Sequence, residues 1–175
     1  MRLSPAGVAF LDRDGTINVK AEEGHYVERP EDLVLLPGAA RAVRRLNEAG
    51  VPVVVVTNQR GIALGRMTEA DLTAVHRRLA EALEEDAGAY VDEVLHCPHD
   101  RASCPCRKPE PGMLLDAARR RPGVDLAGSA MVGDAASDVE AGLRAGTMTV
   151  GLGSGHADAD HRVDDLPGAV AWLLG

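Results

Sequence analysis

The strongest constraint on how this chain can fold is the grouping of its apolar residues. Short runs at Gly7–Leu11, Val51–Thr57, Val91–Cys97, Ala130–Gly133 and Thr147–Gly151 are β-branched and mostly do not alternate with polar residues. A strand with one wet face alternates, whereas a strand covered by helices on both faces reads as a continuous apolar run. Between the runs lie segments with helical spacing. Pro37-Gly38 opens one with Ala39, Val43 and Leu46 on a single face, closed by Gly50. Thr68-Glu69-Ala70-Asp71 has the form of a capping box ahead of Leu72, Val75, Leu79 and Leu83. Pro109 and Pro111 suit the start of a third helix through Leu114, Leu115 and Ala118, and Val139 and Leu143 mark a fourth, ended by Gly146. Strand and helix alternate, which predicts an α/β fold built on a doubly wound, Rossmann-like, mostly parallel sheet. With 175 residues, 45% of them hydrophobic, and neither an internal repeat nor a linker, a single domain spanning 1–175 is expected.

An aromatic content of 2% leaves almost no stacking surface for bases, and a formal net charge of -8 opposes a phosphate backbone, so nucleic acid is not expected as a partner. No apolar run approaches membrane-spanning length, and Met1-Arg2-Leu3-Ser4-Pro5 holds no apolar leader core. A cytoplasmic monomer acting on a small molecule, away from membranes, is the expectation.

Phe10-Leu11-Asp12-Arg13-Asp14-Gly15-Thr16 sets two carboxylates one residue apart at the C-terminal end of the first strand and then breaks the chain with glycine. Residues i and i+2 of a strand point to the same side, so Asp12 and Asp14 can share one site if strand geometry persists that far. Paired carboxylates repel unless a cation or a shared proton joins them, which points to a hard metal ion, acid/base chemistry, or both. Three further polar groups fall at later strand ends: Thr57-Asn58-Gln59, Arg107-Lys108-Pro109, and Gly133-Asp134 with Asp138 beyond. Parallel strands bring such ends to one crevice. A polar excursion at about 16–37 and a cysteine-rich loop at 98–108 interrupt the alternation, as functional loops do.

All 3 cysteines of the chain, Cys97, Cys104 and Cys106, crowd into one window with His99. Three thiolates and one imidazole make a closed tetrahedral set typical of structural Zn²⁺, so a zinc-binding loop at 97–106 is expected.

The four strand-end groups together resemble the haloacid dehalogenase (HAD) superfamily of aspartate-dependent phosphotransferases, whose motifs are DxD, a Ser/Thr after the second strand, a Lys, and an acidic GD group. The resemblance implies Asp12 as a nucleophile that forms an aspartyl-phosphate, and Asp14 as general acid and then base. It implies Mg²⁺ held by Asp12, Asp134 and the backbone carbonyl of Asp14, with Asp138 as a weaker, outer candidate. Thr57, Asn58 and Gln59 are implied to meet the phosphoryl group or substrate, and Lys108 to add positive charge where negative charge accumulates. The Cys97-Pro98-His99 and Cys104-Pro105-Cys106 knuckle ahead of Arg107-Lys108-Pro109 is similar to the capless histidinol-phosphate and heptose-bisphosphate phosphatase branch, so no large cap domain is expected. Thr16-Ile17-Asn18-Val19, Tyr26-Val27, Gly61-Ile62-Ala63, Met67-Thr68-Glu69-Ala70 and Pro111-Gly112-Met113-Leu114-Leu115 favour the heptose side, implying release of the C7 phosphate from a heptose 1,7-bisphosphate. Arg107 would then reach a remote phosphate or hydroxyl, with zinc fixing Arg107 and Lys108 at the mouth of the site. His25 is a further candidate substrate contact.

Two departures bear on the substrate. The Asp100–Ser103 spacer is closer in length to that of the histidinol-phosphate enzymes, and Ala135-Ala136 stands where heptose enzymes often carry lysine. Histidinol phosphate therefore stays open as the substrate, as do a non-catalytic zinc-structured binding protein and a polynucleotide 3'-phosphatase. His76, in a charged helix, is expected to be solvated, and Trp172 to pack the last helix.

Overall fold

The computed structural model describes residues 2–101, 104–154 and 156–175. Six strands form one parallel sheet: β1 (Ala9–Leu11), β2 (Val53–Asn58), β3 (Glu93–Cys97), β4 (Ala130–Gly133), β5 (Met148–Leu152) and β6 (His161–Val163). Their spatial order is β3-β2-β1-β4-β5-β6. The chain builds outward from β1 to β2 and β3, then crosses back to place β4 on the other side of β1. The order therefore reverses between β1 and β4, where open α/β sheets bind ligands. Register pairs Leu11 with both Val55 and Val132, so β1 ends first and β2 runs on to Asn58 beside the chain that follows Leu11.

Five helices cover the two faces: α1 (Ala39–Glu48), α2 (Glu69–Ala87), α3 (Gly112–Arg120), α4 (Ala136–Ala145) and α5 (Leu166–Leu174). The period of 2 along β1 sorts its side chains between two cores. Ala9 and Leu11 join Val53, Val55 and Val132 against Val43, Leu46, Leu79 and Leu173 of α1, α2 and α5. Phe10, Val54, Val56 and Met131 pack instead on Met113, Leu114 and Ala117 of α3 and Ala141 of α4. Burial on both faces is what makes the strands read as unbroken apolar runs. At the start of α2, Thr68 Oγ1 accepts from the Asp71 N–H (3.1 Å) and Asp71 Oδ2 accepts from the Thr68 N–H (2.8 Å), so two otherwise orphaned donors are satisfied.

The structure departs from the sequence expectation at two places. β6 has no apolar run; it is a short edge strand with a half-exposed, exposed, half-exposed pattern. Its neighbour His156 is buried, with Nε2 2.9 Å from the Leu152 carbonyl. His76 is not solvated: Nε2 lies buried without a hydrogen-bond partner, and burial beside Arg13 and His96 drives its pKa down to about 3. Trp172 packs against the core from α5 as expected, half-buried, and also stacks on His161 at 4.4 Å with the Arg2 guanidinium 4.6 Å from its ring centre. Between β1 and α1 the polar excursion carries one 3-10 turn, Pro30–Asp32, and is drawn together by an isolated antiparallel bridge between Asn18 and Leu35.

Candidate active site

The site forms where β1 and β4 end. After Leu11 the chain leaves the sheet and turns tightly, with Ile17 N–H donating to the Arg13 carbonyl (2.8 Å) and Gly15 N–H to the Asn18 carbonyl (2.8 Å). Gly15 takes φ +90, a left-handed conformation that a side chain would strain, and a Cβ there would overlap the Asp134 carboxylate. Glycine is thus required both by the turn and by the approach of Asp134.

Asp12 is 7% exposed. Its Oδ1 accepts from Lys108 Nζ at 2.7 Å, and the same ammonium lies 2.6 Å from Asp138 Oδ1 and donates to the Val56 carbonyl at 2.7 Å. Burial and the charge of Asp138 push the Asp12 pKa up to about 7, against the opposing pull of Lys108. Burial alone would lower Lys108, but the Asp12 and Asp138 charges outweigh it and hold the pKa above its ordinary value. Lys108 is thus at the floor of the site, not at its mouth; with 3% exposure it is a structural counter-ion to two carboxylates. Asp138 is not an outlying group either: it is buried, pairs with Lys108, and its Oδ2 accepts from the Ala135 N–H at the start of α4 (3.0 Å).

Asp14 does not share the Asp12 position, because the strand ends before alternation reaches it. Its Oδ1 accepts from Arg13 Nη2 (2.9 Å), Arg13 Nε (3.2 Å) and Asn18 Nδ2 (2.9 Å), and its Oδ2 from Arg13 Nη2 (3.0 Å) and Gln59 Nε2 (2.9 Å). Burial raises this carboxyl, but the Arg13 charge and the N–H donors outweigh it and hold it below the usual carboxylate range. Arg13 itself is fully buried, a role nothing in the sequence announced, since a charged residue between two aspartates reads as solvated.

The second strand end behaves differently from expectation. Gln59 is fully buried and donates to Asp14 and to Thr57 Oγ1 (2.9 Å), so it braces the site and does not line the cleft. Both ends of the Asn58 amide are engaged with the Lys108 backbone, Nδ2 donating to its carbonyl and Oδ1 accepting from its N–H, each at 3.0 Å. Asn58 borders the cleft but fastens the β3–α3 loop to β2. Thr57 accepts from Gln59, which leaves its own hydroxyl hydrogen free to donate.

A cleft of about 380 Å³ opens over these groups, lined by Asp12, Asp14, Thr57, Lys108, Asp134 and Asp138, with Lys20, His25, Arg101 and Arg107 around them. A larger cavity of about 500 Å³ between β3 and α3 holds none of these carboxylates, so the chemistry belongs to the smaller one. One oxygen each from Asp12, Asp134 and Asp138 lies within 4.8 Å of the others. Asp134 Oδ1 is buried without a partner, and its Oδ2 meets Lys20 Nζ at 3.0 Å. This donor set, all hard oxygen with one unsatisfied lone-pair face, fits Mg²⁺. Asp12 and Asp134 are the carboxylates available to it, Asp138 being committed to Lys108, and the carboxylate of Asp14 stands outside the cluster.

The cysteine loop closes on itself beside the cleft. Sγ atoms of Cys97, Cys104 and Cys106 lie 3.2 to 3.4 Å apart, and His99 Nδ1 lies 3.5 Å from Cys97 Sγ and 3.3 Å from Cys106 Sγ. A Zn–S bond of about 2.3 Å sets tetrahedral sulfurs about 3.8 Å apart, so the set has the ligand types and number for one zinc ion and would open by about 0.5 Å to hold it. Arg107 Nη1 reaches the His99 carbonyl at 3.5 Å, and Asp100 accepts from Arg60 Nε at 2.5 Å, tying the loop to the cleft rim. Within the Asp100–Ser103 spacer, Ala102 and Ser103 lie outside the described residues.

Residues 4–146 match the family model described as haloacid dehalogenase-like hydrolase. A D-glycero-beta-D-manno-heptose-1,7-bisphosphate 7-phosphatase of Rhodopseudomonas palustris is 47% identical over 79% of this chain and 78% of that protein. A D-glycero-alpha-D-manno-heptose-1,7-bisphosphate 7-phosphatase of Mycobacterium bovis is 42% identical over 90% of this chain and 86% of its own. The crystal structure of D,D-heptose 1,7-bisphosphate phosphatase from B. bronchiseptica, complexed with magnesium and phosphate, superposes with a TM-score of 0.88 at 36% identity, covering 96% of this chain and 98% of that one.

Proposed function

The chain belongs to the haloacid dehalogenase-like hydrolases, and on that premise we propose that it is a Mg²⁺-dependent phosphatase that releases the C7 phosphate of D-glycero-D-manno-heptose 1,7-bisphosphate through an aspartyl-phosphate on Asp12. The observation that carries the reading is the carboxylate of Asp12, held by Lys108 at the reversal point of the sheet and facing Asp134. Lys108 fixes Oδ1, so Oδ2 is the attacking oxygen. Asp14 stands beside it as the proton carrier: it gives a proton to the leaving alkoxide, then takes one from the water that hydrolyses the acyl phosphate. The Arg13, Asn18 and Gln59 donors favour its ionised form, which suits the water-activating half; for the first half it must take up a proton as the anionic substrate arrives. Thr57 donates to a phosphoryl oxygen, and Arg107 and His25 on the rim meet the rest of the substrate. Asp12, Asp134 and the backbone carbonyl of Asp14 would hold Mg²⁺. When bound, the ion offsets the charge that gathers on the phosphoryl oxygens.

Cys97, His99, Cys104 and Cys106 hold a structural Zn²⁺ in this reading, within one phosphatase domain over 1–175. Among the described residues no helix is long and apolar enough to cross a membrane. A cytoplasmic monomer acting on a small phosphorylated sugar is consistent with that and with the net charge of -8.

The test is phosphate release from both anomers of the heptose bisphosphate and from histidinol phosphate, side by side, with Asp12→Asn as control. One equivalent of phosphate from the heptose bisphosphate, and none from Asp12→Asn, is expected. Preference for histidinol phosphate would overturn the substrate, and activity in Asp12→Asn would overturn the covalent route.

A further inference from the structure

Two ammonium groups meet the carboxylates of the cleft, and they are held in opposite ways. Lys108 Nζ has an acceptor for each of its three hydrogens, Asp12 Oδ1, Asp138 Oδ1 and the Val56 carbonyl, and is 3% exposed. It has no route out. Lys20 enters from the polar excursion, where residues 19–22 carry no regular structure, and its side chain is 57% exposed. Its Nζ contact is Asp134 Oδ2 at 3.0 Å, and the charges of Asp134, Asp12 and Asp138 hold it against the cluster. Asp134 is also the carboxylate whose other oxygen is buried without a partner. The group that Mg²⁺ requires therefore carries one cation, and that cation is the exposed one of the two.

We propose that Lys20 is an exchangeable cation: Mg²⁺ displaces its ammonium from Asp134, and the freed ammonium pairs with the phosphate that enters the cleft. Lys20 would thus couple ion binding to substrate binding, and this rests on the phosphatase reading above. The physical reason is charge. Two cations on one carboxylate repel, so the weaker ligand, a solvent-screened ammonium, leaves. Its long stem keeps it over the cleft, where the arriving phosphate dianion brings the negative charge it has lost. Without Lys20, Mg²⁺ meets no competitor but the phosphate loses a partner, so the two affinities should move in opposite directions. A merely structural lysine would move both the same way or neither.

The experiment is titration calorimetry on the full, zinc-loaded chain at fixed ionic strength, first with Mg²⁺ alone and then with inorganic phosphate at saturating Mg²⁺. Lys20→Met keeps the apolar stem and removes the charge. Its Mg²⁺ dissociation constant should fall about two- to five-fold, the range expected for a solvent-exposed ion pair. Its phosphate dissociation constant should rise by a similar factor, and Lys20→Arg should restore phosphate binding. Unchanged or weaker Mg²⁺ binding in Lys20→Met overturns the exchange, as does unchanged phosphate binding. Failure of the unaltered chain to bind Mg²⁺ overturns the phosphatase reading and the exchange together, so the two failures are distinguishable.

Discussion

Replacing Lys108 by methionine keeps an unbranched stem and deletes the ammonium at the floor of the site. Lys108 Nζ sits 2.7 Å from Asp12 Oδ1 and 2.6 Å from Asp138 Oδ1, and all three side chains are buried. Removing one member of such a set leaves buried charge uncompensated, at a cost of about 3–5 kcal/mol. The chain can limit that cost by taking up a proton. Burial and Asp138 already raise Asp12 to about 7, and Lys108 is the group that holds it down, so in Lys108→Met the pKa of Asp12 rises further. A carboxyl protonated when folded but ionised when unfolded makes stability fall as pH rises, by about 1.4 kcal/mol per pH unit for one proton. In the unaltered chain this slope acts between the ordinary value of 3.8 and about 7 and then vanishes, because Asp12 is ionised in both states above that. Lys108 stays charged throughout this range, its folded pKa being raised, so its contribution is constant. In Lys108→Met the slope continues upward, and the penalty should grow by about 2 kcal/mol between about pH 7 and pH 8.5 while staying level below pH 7. Urea unfolding in Mg²⁺-free buffer across that range measures it. A penalty equal at both ends, or one under about 1 kcal/mol at the alkaline end, would refute the picture of a buried ammonium neutralising two carboxylates.

Other substitutions test separate parts of the site. Gly15→Ala forces a side chain into φ +90 and against the Asp134 carboxylate; it should cost about 1–2 kcal/mol in unfolding and weaken Mg²⁺ binding, read by denaturation and calorimetry. His76 is held neutral by burial, its pKa lowered to about 3, so it contributes stability that is present above its unfolded value near 6.5 and is lost as pH falls below that. His76→Leu should therefore lose less stability than the unaltered chain between about pH 7.5 and pH 5, by about 2 kcal/mol, and equal losses would disprove the burial of that ring. Cys104→Ser should lower bound zinc from about one equivalent, seen by metal analysis, and lower the melting temperature. Because Arg107 is tethered to the His99 carbonyl, KM should rise more than kcat falls; an unchanged KM would remove the zinc loop from substrate binding.

Most of the architecture was legible in the chain because it is encoded locally. Unalternated apolar runs report burial on both faces, the Thr68–Asp71 box reports a helix start, and glycines such as Gly15 report backbone that bends where a side chain cannot. The segment from His156 to Val163 was illegible for the same reason: an edge strand of three residues needs no apolar pattern, and its register comes from pairing with β5.

Read alone, the chain placed Asp12, Thr57 and Asp134 at strand ends, with a thiolate and imidazole set nearby, but it also put Lys108 at a strand end, whereas β3 stops at Cys97 and Lys108 follows the cysteine loop. Which charge meets which depends on how distant segments pack. The order β3-β2-β1-β4 puts Asp12 next to Asp138 and draws Lys108 beneath both. The early end of β1 turns Asp14 toward Arg13, Asn18 and Gln59, which are all buried braces, although Gln59 was expected to meet the substrate. Lys20 reaches Asp134 across a sequence separation of 114 residues. Spacing along a chain can bring side chains to the same crevice, but ion pairs and hydrogen bonds act over about 3–4 Å, and at that range the partner is chosen by the packing of distant segments.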